Sequence, residues 1–342
     1  MKGSVLLSGE DLKLARGELS AVLKSLGEEM EPEEEDGRLV IFEREVPKGT
    51  MKRMGMGHFS SLEIGVSGRS LKDITGLVES ILDTAEKDER VSVKVISPGQ
   101  EGHLRRKELF ELFCHLALRR GLTLKHRDPD RRFYLFVGTS IHAGRILEEA
   151  DRGSVRSRRG SRLPFSRPII MDPRLARVLI NLSTLPPGSL ILDPFMGAAS
   201  LALEATHLGH HVIGVERDPD ILAGALTNIS AQGMSHMIET HRGDSRKLGG
   251  EKWWRELDHV DGIVTDPPFG KSAPLMGEEP STLLRDVIRV AADKLPHGGP
   301  LVLDTDRKEN LQFLEGFDLT AEYDFRVHKS LTRTIGVLRK IT

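Results

Sequence analysis

Apolar and polar positions follow two rhythms along the chain. In the first 150 residues, short apolar runs alternate with single amphipathic stripes. Val5 to Ser8 reads as a strand, and Leu12, Ala15, Leu19, Val22, Leu23 and Leu26 then fall on one helical face over Asp11 to Leu26. Gly27 is placed to stop that helix, and Leu39-Val40-Ile41-Phe42 reads as the next strand. The acidic run Glu28 to Asp36 between them reads as a solvated loop. From Gly49 the pattern shifts, with methionine and glycine over Met51 to His58 and a strand over Ser61 to Val66. Asp73 to Ala85 predicts an amphipathic helix, and Val91 to Val95 alternates as a half-buried strand should. A helix over Lys107 to Arg119 turns Leu109, Phe110, Leu112, Phe113, Leu116 and Ala117 inward. Leu122 to Leu124 and Arg132 to Val137 are two further strands, separated by His126-Arg127-Asp128-Pro129-Asp130.

The second rhythm is a regular exchange of strand and helix. A helix over Pro173 to Leu182 leads to a strand, Ser189 to Asp193. A small-residue turn, Pro194-Phe195-Met196-Gly197-Ala198-Ala199-Ser200, then opens a helix that runs to Leu208. A strand (His211 to Glu216), a helix (Pro219 to Gln232) and a strand (His236 to Arg242) follow, with Gly243-Asp244 behind them. Next come a strand over Val260 to Asp266, a helix over Ser281 to Leu295 and a strand over Pro300 to Asp304. Asp318 to Val327 and Thr334 to Ile341 read as a closing hairpin. Such alternation predicts an α/β fold with a largely parallel sheet.

Four of these strands end in an acid: Asp193, Glu216, Asp244 (just after its strand) and Asp266. Ligands of parallel sheets bind beyond the carboxyl ends of the strands, so all four should line one crevice. Glycine and alanine after the first strand allow a ligand close to the backbone N–H groups of the helix start. The spacing from Gly197 to Glu216 suits a carboxylate on a ribose. After the fourth strand, Asp266-Pro267-Pro268-Phe269-Gly270 combines two fixed acceptors, the Asp266 carboxylate and the Pro267 carbonyl, with an aromatic face. That set fits a planar group bearing an NH2, such as a nucleobase.

Composition narrows the class. The chain has 342 residues, 38% hydrophobic and 29% charged, enough for two or three domains. Cys114 is the only cysteine, which excludes disulfides and cysteine-rich zinc sites. His207, His210 and His211 read as a solvated helix end, and no metal is expected. Met1 to Ser8 holds too short an apolar run for a signal peptide and no stretch approaches a membrane span, so a cytoplasmic protein is expected. The net charge is −2, but residues 101–168 hold 16 Lys+Arg against 8 Asp+Glu. Arg152, Arg156, Arg158, Arg159, Arg162 and Arg167 cluster between residues 150 and 168 with no acid among them, as in a linker extended or mobile until it meets phosphate.

Together the motifs resemble class I (Rossmann-like) S-adenosylmethionine methyltransferases that act on amino groups. Asp266-Pro267-Pro268-Phe269 looks like the Asp/Asn-Pro-Pro-Tyr/Phe motif of those enzymes. Asp193-Pro194-Phe195-Met196-Gly197, Pro173-Arg174-Leu175-Ala176-Arg177 and the order of the N-terminal elements are similar to the archaeal THUMP-domain tRNA (guanine-N2) methyltransferase family. That family usually continues the first turn as Cys-Gly-Thr-Gly-Gly, where this chain has Met196-Gly197-Ala198-Ala199-Ser200. The resemblance implies a ferredoxin-like module over 1–48, a THUMP-like RNA-binding domain over 49–149, the arginine linker over 150–168 and a methyltransferase domain with a mixed seven-stranded sheet over 169–342.

It also implies roles. Asp193, Phe195, Gly197, Ala198, Glu216, Arg217, Asp244, Ser245 and Asp266 would hold S-adenosylmethionine. Asp266, Pro267, Pro268 and Phe269 would form the catalytic site at the N2 amine of a guanosine, which in the family is position 10 of tRNA and receives one or two methyls. Arg105, Arg106, Arg127, Arg131 and the six linker arginines would bind RNA, and the protein would act as a monomer. An amino-methyltransferase acting on rRNA, on another tRNA position or on DNA shares the Asp-Pro-Pro-Phe site. A catalytically degenerate RNA-binding protein is the remaining alternative, favoured by Ala199 and Ser200.

Overall fold

The two rhythms become two sheets. The structure, a computed structural model, describes residues 1–97, 106–167, 170–268, 280–312, 314–328 and 331–341. One unit is built from residues 1–12, 29–52 and 57–150, the other from 13–28, 53–56 and 151–342.

In the first unit the strands are β1 (Gly3–Leu7), β2 (Glu34–Asp36), β3 (Leu39–Phe42), β4 (Gly57–Ser67), β5 (Arg90–Ile96), β6 (Thr123–Leu124), β7 (Arg131–Val137) and β8 (Ile141–Glu149). They form one sheet in the order β2-β3-β1-β4-β8-β7-β5-β6, so a single sheet runs through residues expected to make two modules. The helices of this half of the chain are α1 (Leu12–Ser25), α2 (Thr50–Arg53), α3 (Leu71–Leu82) and α4 (Arg106–Arg119). Ser70 caps α3 by accepting the Asp73 amide at 3.2 Å. Ile74, Val78 and Ile81 of α3 and Phe113 of α4 are buried with Phe133 and Leu135 of β7 in one core.

Three sequence expectations fail in this unit. Strand β8 pairs with both β4 and β7, yet its sequence, Ile-His-Ala-Gly-Arg-Ile-Leu-Glu-Glu, shows no clean alternation and was not anticipated. The acidic run does not end as a loop. Its last three residues form β2, because Asp36 is buried and accepts the amides of Thr139 and Ser140. Phe110 points outward and is 48% exposed, while Leu109, Phe113, Leu116 and Ala117 keep the inner face of α4.

The second unit holds β9 (Leu190–Asp193), β10 (His211–Glu216), β11 (Ile238–Arg242), β12 (Gly262–Thr265), β13 (Pro300–Thr305), β14 (Phe317–His328) and β15 (Leu331–Lys340). Their order, β11-β10-β9-β12-β13-β15-β14, is parallel as far as β13 and antiparallel at β15 and β14, the mixed seven-stranded sheet that was expected. The helices of this unit beyond α1 are α5 (Arg152–Ser157), α6 (Pro173–Leu182), α7 (Ser200–His207), α8 (Pro219–Ala231), α9 (Lys252–Glu256), α10 (Pro280–Ala292) and α11 (Glu309–Gln312). Asp172 and Asp218 cap α6 and α8, each followed by a proline at the first helical position. Ile263 and Val264 of β12 and Leu301 to Leu303 of β13 are all but completely buried, as strands covered on both faces must be. The strand order reverses between β9 and β12, which fixes where a ligand crevice opens.

Residues 13–28, expected in the ferredoxin-like module, and 53–56, expected in the THUMP-like domain, cluster with the second unit. Glu18 of α1 is fully buried. It accepts the amides of Gly55 and Met56 at 2.7 and 2.8 Å and the side-chain amide of Asn181 in α6 at 2.8 Å. Gly17 has no side chain because the Tyr323 ring occupies that space. A buried carboxylate with three donors holds these distant segments together, and no local pattern announces it.

The arginine segment is also more ordered than an extended linker. It forms α5 and a turn of 3-10 helix over Gly160–Arg162. His210 is buried with its Nε2 3.3 Å from the Arg53 guanidinium, which corrects the reading of this stretch as a solvated helix end. Trp254 is buried in the core, and Trp253 stacks on His241 at 3.6 Å between ring centroids.

Candidate active site

The ends of β9, β10, β11 and β12 surround a cavity of about 550 Å³, within the range of roughly 300–1,000 Å³ usual for small-ligand sites. Every described cofactor candidate lines it: Asp193, Phe195, Gly197 and Ala198 from the first turn, Glu216 and Arg217 from the second, Asp244 and Ser245 from the third, and Asp266 from the fourth. Pro267 and Pro268 line it too, whereas Phe269 lies outside the described residues.

The first turn keeps its shape without the usual glycines. Gly197 has φ +54°, and Ala199, at the N-cap of α7, has φ +72°. A side chain there costs about 1–2 kcal/mol relative to glycine, so the turn holds Ala199 in a strained conformation. Packing around it resists relaxation. Met196 donates its amide to Val215 at 3.0 Å, and its side chain fills the space that a Cβ on Gly214 would need.

Asp193 is buried at the centre of the cavity wall. Its Oδ1 accepts Thr265 Oγ1 at 2.8 Å and the Phe195 amide at 3.2 Å, while its Oδ2 is buried with no protein partner. Burial raises its carboxyl to about 7 against the pull of those two bonds. Glu216, raised by burial, spends one oxygen on the Gly197 amide at 3.1 Å and the other on the Asp218 amide at 2.8 Å. Asp244 is different. Arg246 chelates its carboxylate and holds it low. Ser245 donates to the Pro194 carbonyl at 2.6 Å and ties the first turn to the third. The orphaned Asp193 oxygen, the open left-handed glycine and the ring of strand-end acids fit the ammonium, carboxylate and ribose of S-adenosylmethionine.

Asp266 sits where β12 stops. Pro267 cannot continue a ladder, so the carboxylate is left at the cavity wall with about a fifth of its side-chain surface open (21%). Arg333 Nη1 donates to Asp266 Oδ1 at 2.7 Å and to Asp304 Oδ2 at 2.8 Å. Asp304, at the end of β13, is completely buried, and its other oxygen has no partner. Burial pushes both carboxyls up, and Arg333 opposes that push on each. Sequence reasoning missed Arg333 and Asp304. The available signal was an acid closing an otherwise apolar strand, Pro300 to Asp304. Arg333 lay just outside the strand anticipated from Thr334.

It also missed the wall formed by Phe165, Ile170, Met171, Leu283 and Val287. Phe165 is clamped by Asn228 of α8, which accepts its amide at 2.9 Å and donates to its carbonyl at 3.0 Å. Gly224 leaves room for the ring.

The arginines separate. Arg158 is buried and clamps Glu204, which also accepts Arg177 at 2.9 Å, so Arg158 leaves the RNA-facing set: its charge is already satisfied inside the protein. Arg167 lines the cavity, with its guanidinium 5.5 Å from the centre of the Phe165 ring. Arg159 pairs with Asp172, and Arg131 pairs with Glu89. Arg106, Arg127, Arg152, Arg156 and Arg162 are exposed, and Arg105 lies outside the described residues. Among the described residues there is no group of His, Cys, Asp or Glu that could hold a metal, and no helix is long and apolar enough to cross a membrane.

Comparison with known proteins agrees with this geometry. A tRNA (guanine(10)-N2)-dimethyltransferase of Methanothermobacter thermautotrophicus is 36% identical over 180 residues, 52% of each chain, so the match spans about half of that relative's length. A protein of the same name from Methanocaldococcus jannaschii is 24% identical over 360 residues, covering 98% of this chain and 99% of its own. The crystal structure of TrmN from Thermus thermophilus matches with a TM-score of 0.61 and 25% identity over 100% of both chains. Residues 159–335, which span the cavity from Phe165 to Arg333, match the UPF0020 family, an RMKL-like methyltransferase domain. The chain belongs to this family of S-adenosylmethionine-dependent methyltransferases.

Proposed function

We propose that this protein methylates the exocyclic N2 amine of a guanosine in tRNA, at position 10, adding one and then a second methyl. The observation that carries the reading is the Asp266 carboxylate, fixed by Arg333 and Pro267 at the wall of the cofactor cavity. The relatives named for guanine 10 of tRNA supply the address.

S-adenosylmethionine, when bound, supplies an electrophilic methyl on a sulfonium. Asp193 would hold the ammonium of its amino-acid end with the unpartnered oxygen, Gly197 would admit its carboxylate, and Glu216 would take the ribose hydroxyls. Asp244, already chelated by Arg246, would receive the adenine amine with its remaining lone pairs. At the end of β12, the neighbour of β9, Asp266 and the Pro267 carbonyl would accept hydrogen bonds from the N2 amine. Gripping both hydrogens frees the nitrogen lone pair, which is otherwise delocalised into the ring. Asp266 also stabilises the positive charge as the N–C bond forms, then takes the proton. Phe269 would stack on the base. Such a base must leave its stack to enter, and the arginines left exposed, with residues 1–149 read as ferredoxin-like and THUMP-like modules, would hold the surrounding RNA by its phosphates. We place this activity in a cytoplasmic monomer.

The strained Ala199 speaks against a degenerate enzyme, since the turn holds the geometry of the glycine form at a cost. The test is nucleoside mass spectrometry on unmodified tRNA transcripts with wild type and Asp266→Ala. N2-methylguanosine from wild type, lowered about 1,000-fold in the variant, is the expected result. Methylated adenine or cytosine would reassign the substrate, and a transcript changed at position 10 checks the address.

A further inference from the structure

We infer that Arg333, braced by Asp304, is the positioning residue of the catalytic carboxylate: it aims Asp266 at the substrate amine and fixes the negative charge of the three-group cluster on Asp266. The inference rests on the reading of Asp266 as acceptor of that amine.

The geometry is a bridge. One guanidinium nitrogen, Arg333 Nη1, reaches Asp266 at 2.7 Å and Asp304 at 2.8 Å, so the two carboxyls compete for one donor. With both ionised, the cluster would hold two negative charges against one positive charge. The environments of the two carboxyls differ. Asp304 is completely buried and has one oxygen without a partner, so an ionised form there is poorly solvated. Asp266 opens on the cavity. The proton therefore resides on Asp304 and the charge on Asp266, which must be an acceptor to grip an amine. The charged or titratable groups facing Asp266 are Arg333 from β15, Asp304 from β13 and Asp193 from β9, and burial of the two acids opposes ionisation of each.

The arrangement also explains why the antiparallel end of the sheet belongs to the site. Asp266 ends a strand that stops at two prolines, and its own backbone cannot orient a flexible carboxylate. Arg333 comes from β15, which is hydrogen-bonded along β13 at the Asp304–Ile335 and Thr305–Thr334 pairs. The sheet therefore fixes Arg333 and Asp304 relative to each other, and both fix Asp266.

The experiment compares wild type, Arg333→Lys, Arg333→Ala and Asp304→Ala. Steady-state methylation of a tRNA transcript gives kcat and KM, and calorimetry gives cofactor affinity. We expect Arg333→Ala to lose about 100-fold in kcat, with KM for tRNA and the Kd for S-adenosylmethionine within threefold of wild type. Lys should restore about tenfold of that loss, since it keeps the charge but not the planar fork, and Asp304→Ala should lose about tenfold. Carboxyl carbon-13 titration of Asp266 should show its apparent pKa rising in Arg333→Ala, a readout that needs no substrate and that a merely structural role would not move. Should wild type make no methylated nucleoside, the functional reading fails, and the titration still decides whether Arg333 governs this carboxyl. An unchanged titration, or a loss confined to KM or cofactor affinity, overturns the inference.

Discussion

Two buried acid clusters can be set side by side. In the first unit, Asp36 and Glu63 flank His142, at 3.3 and 3.1 Å. In the second, Asp266 and Asp304 flank Arg333. Both place two carboxyls around one basic side chain, but their hydrogen bonding differs. Asp36 accepts the Thr139 amide, the Thr139 hydroxyl and the Ser140 amide, and these donors overcome its burial to leave the carboxyl below its usual range. Burial is the largest influence on His142 and works against its charge, yet the bond to Glu63 and the charges of Glu63, Asp36 and Glu34 together outweigh it and raise the imidazole. In the first cluster every carboxyl oxygen has a donor, since Glu63 takes the Tyr134 hydroxyl on one oxygen and His142 Nδ1 on the other, although His142 Nε2 makes no hydrogen bond. The second keeps an unpartnered oxygen and opens on a cavity, and burial holds both of its acids up. Carboxylates with a donor on every oxygen stabilise the fold, whereas Asp266 keeps a face open to the cavity, where a ligand can reach it.

Three experiments would break or sharpen that contrast. The largest effect is expected at the first cluster. Asp36→Ala strands the amides of Thr139 and Ser140 and uncovers His142, and should destabilise the first unit by about 3 kcal/mol with cofactor affinity unchanged. Chemical denaturation and calorimetry check this, and a loss of cofactor binding without a loss of stability would reverse the assignment.

A smaller effect belongs to the open site. The Asp193 carboxyl titrates at about 7, well above the unfolded value of about 3.9. It therefore supports the folded state at low pH and withdraws that support as pH rises toward 7. A cationic ligand needs the ionised form. Affinity for S-adenosylmethionine should accordingly fall about tenfold per unit as pH drops below 7, with proton release seen by calorimetry in buffers of different ionisation heat. A flat affinity from pH 5.5 to 8 would rule this out.

The smallest effect is at the first turn. Ala199→Gly removes left-handed strain and adds chain entropy to the unfolded state, for a net gain of about 0.5–1 kcal/mol. Thermal unfolding with and without cofactor would show it, and a lower midpoint would mean that Ala199 is not strained.

These clusters also show which parts of the molecule a reader of the sequence can reach. Asp193, Glu216 and Asp266 were legible because each follows a buried apolar run, and parallel strands deliver their ends to one edge whatever lies between them. The ends of β9 to β12 thus gave a set of candidates that, where described, all line one cavity. Arg333 was not legible: its role depends on the register of an antiparallel strand 67 residues beyond Asp266. Strand β8 escaped because a strand in mid-sheet with mixed burial has no period to detect. Arg158 was misread because a charged run looks solvated until a buried partner, here Glu204, is known. His210 was misread for the same reason, with Arg53 as its hidden neighbour. In each case the deciding residue lies far away in sequence, where local pattern carries no information.

The carboxylate of Glu18 sets a timetable. Helix α1 is made before all of its partners here: Gly55, Met56, Asn181 and, at Lys13 and Gly17, the strand bearing Glu322 and Tyr323. At typical synthesis rates that last strand follows roughly 15–60 s later. Glu18 gains its partners step by step, first Gly55 and Met56 and then Asn181, and the end of the helix at Lys13 and Gly17 is covered only when β14 arrives. A fragment begun at residue 151 would contain the cavity and the whole seven-stranded sheet, yet it would strip Asn181 of its Glu18 and Arg53 partners.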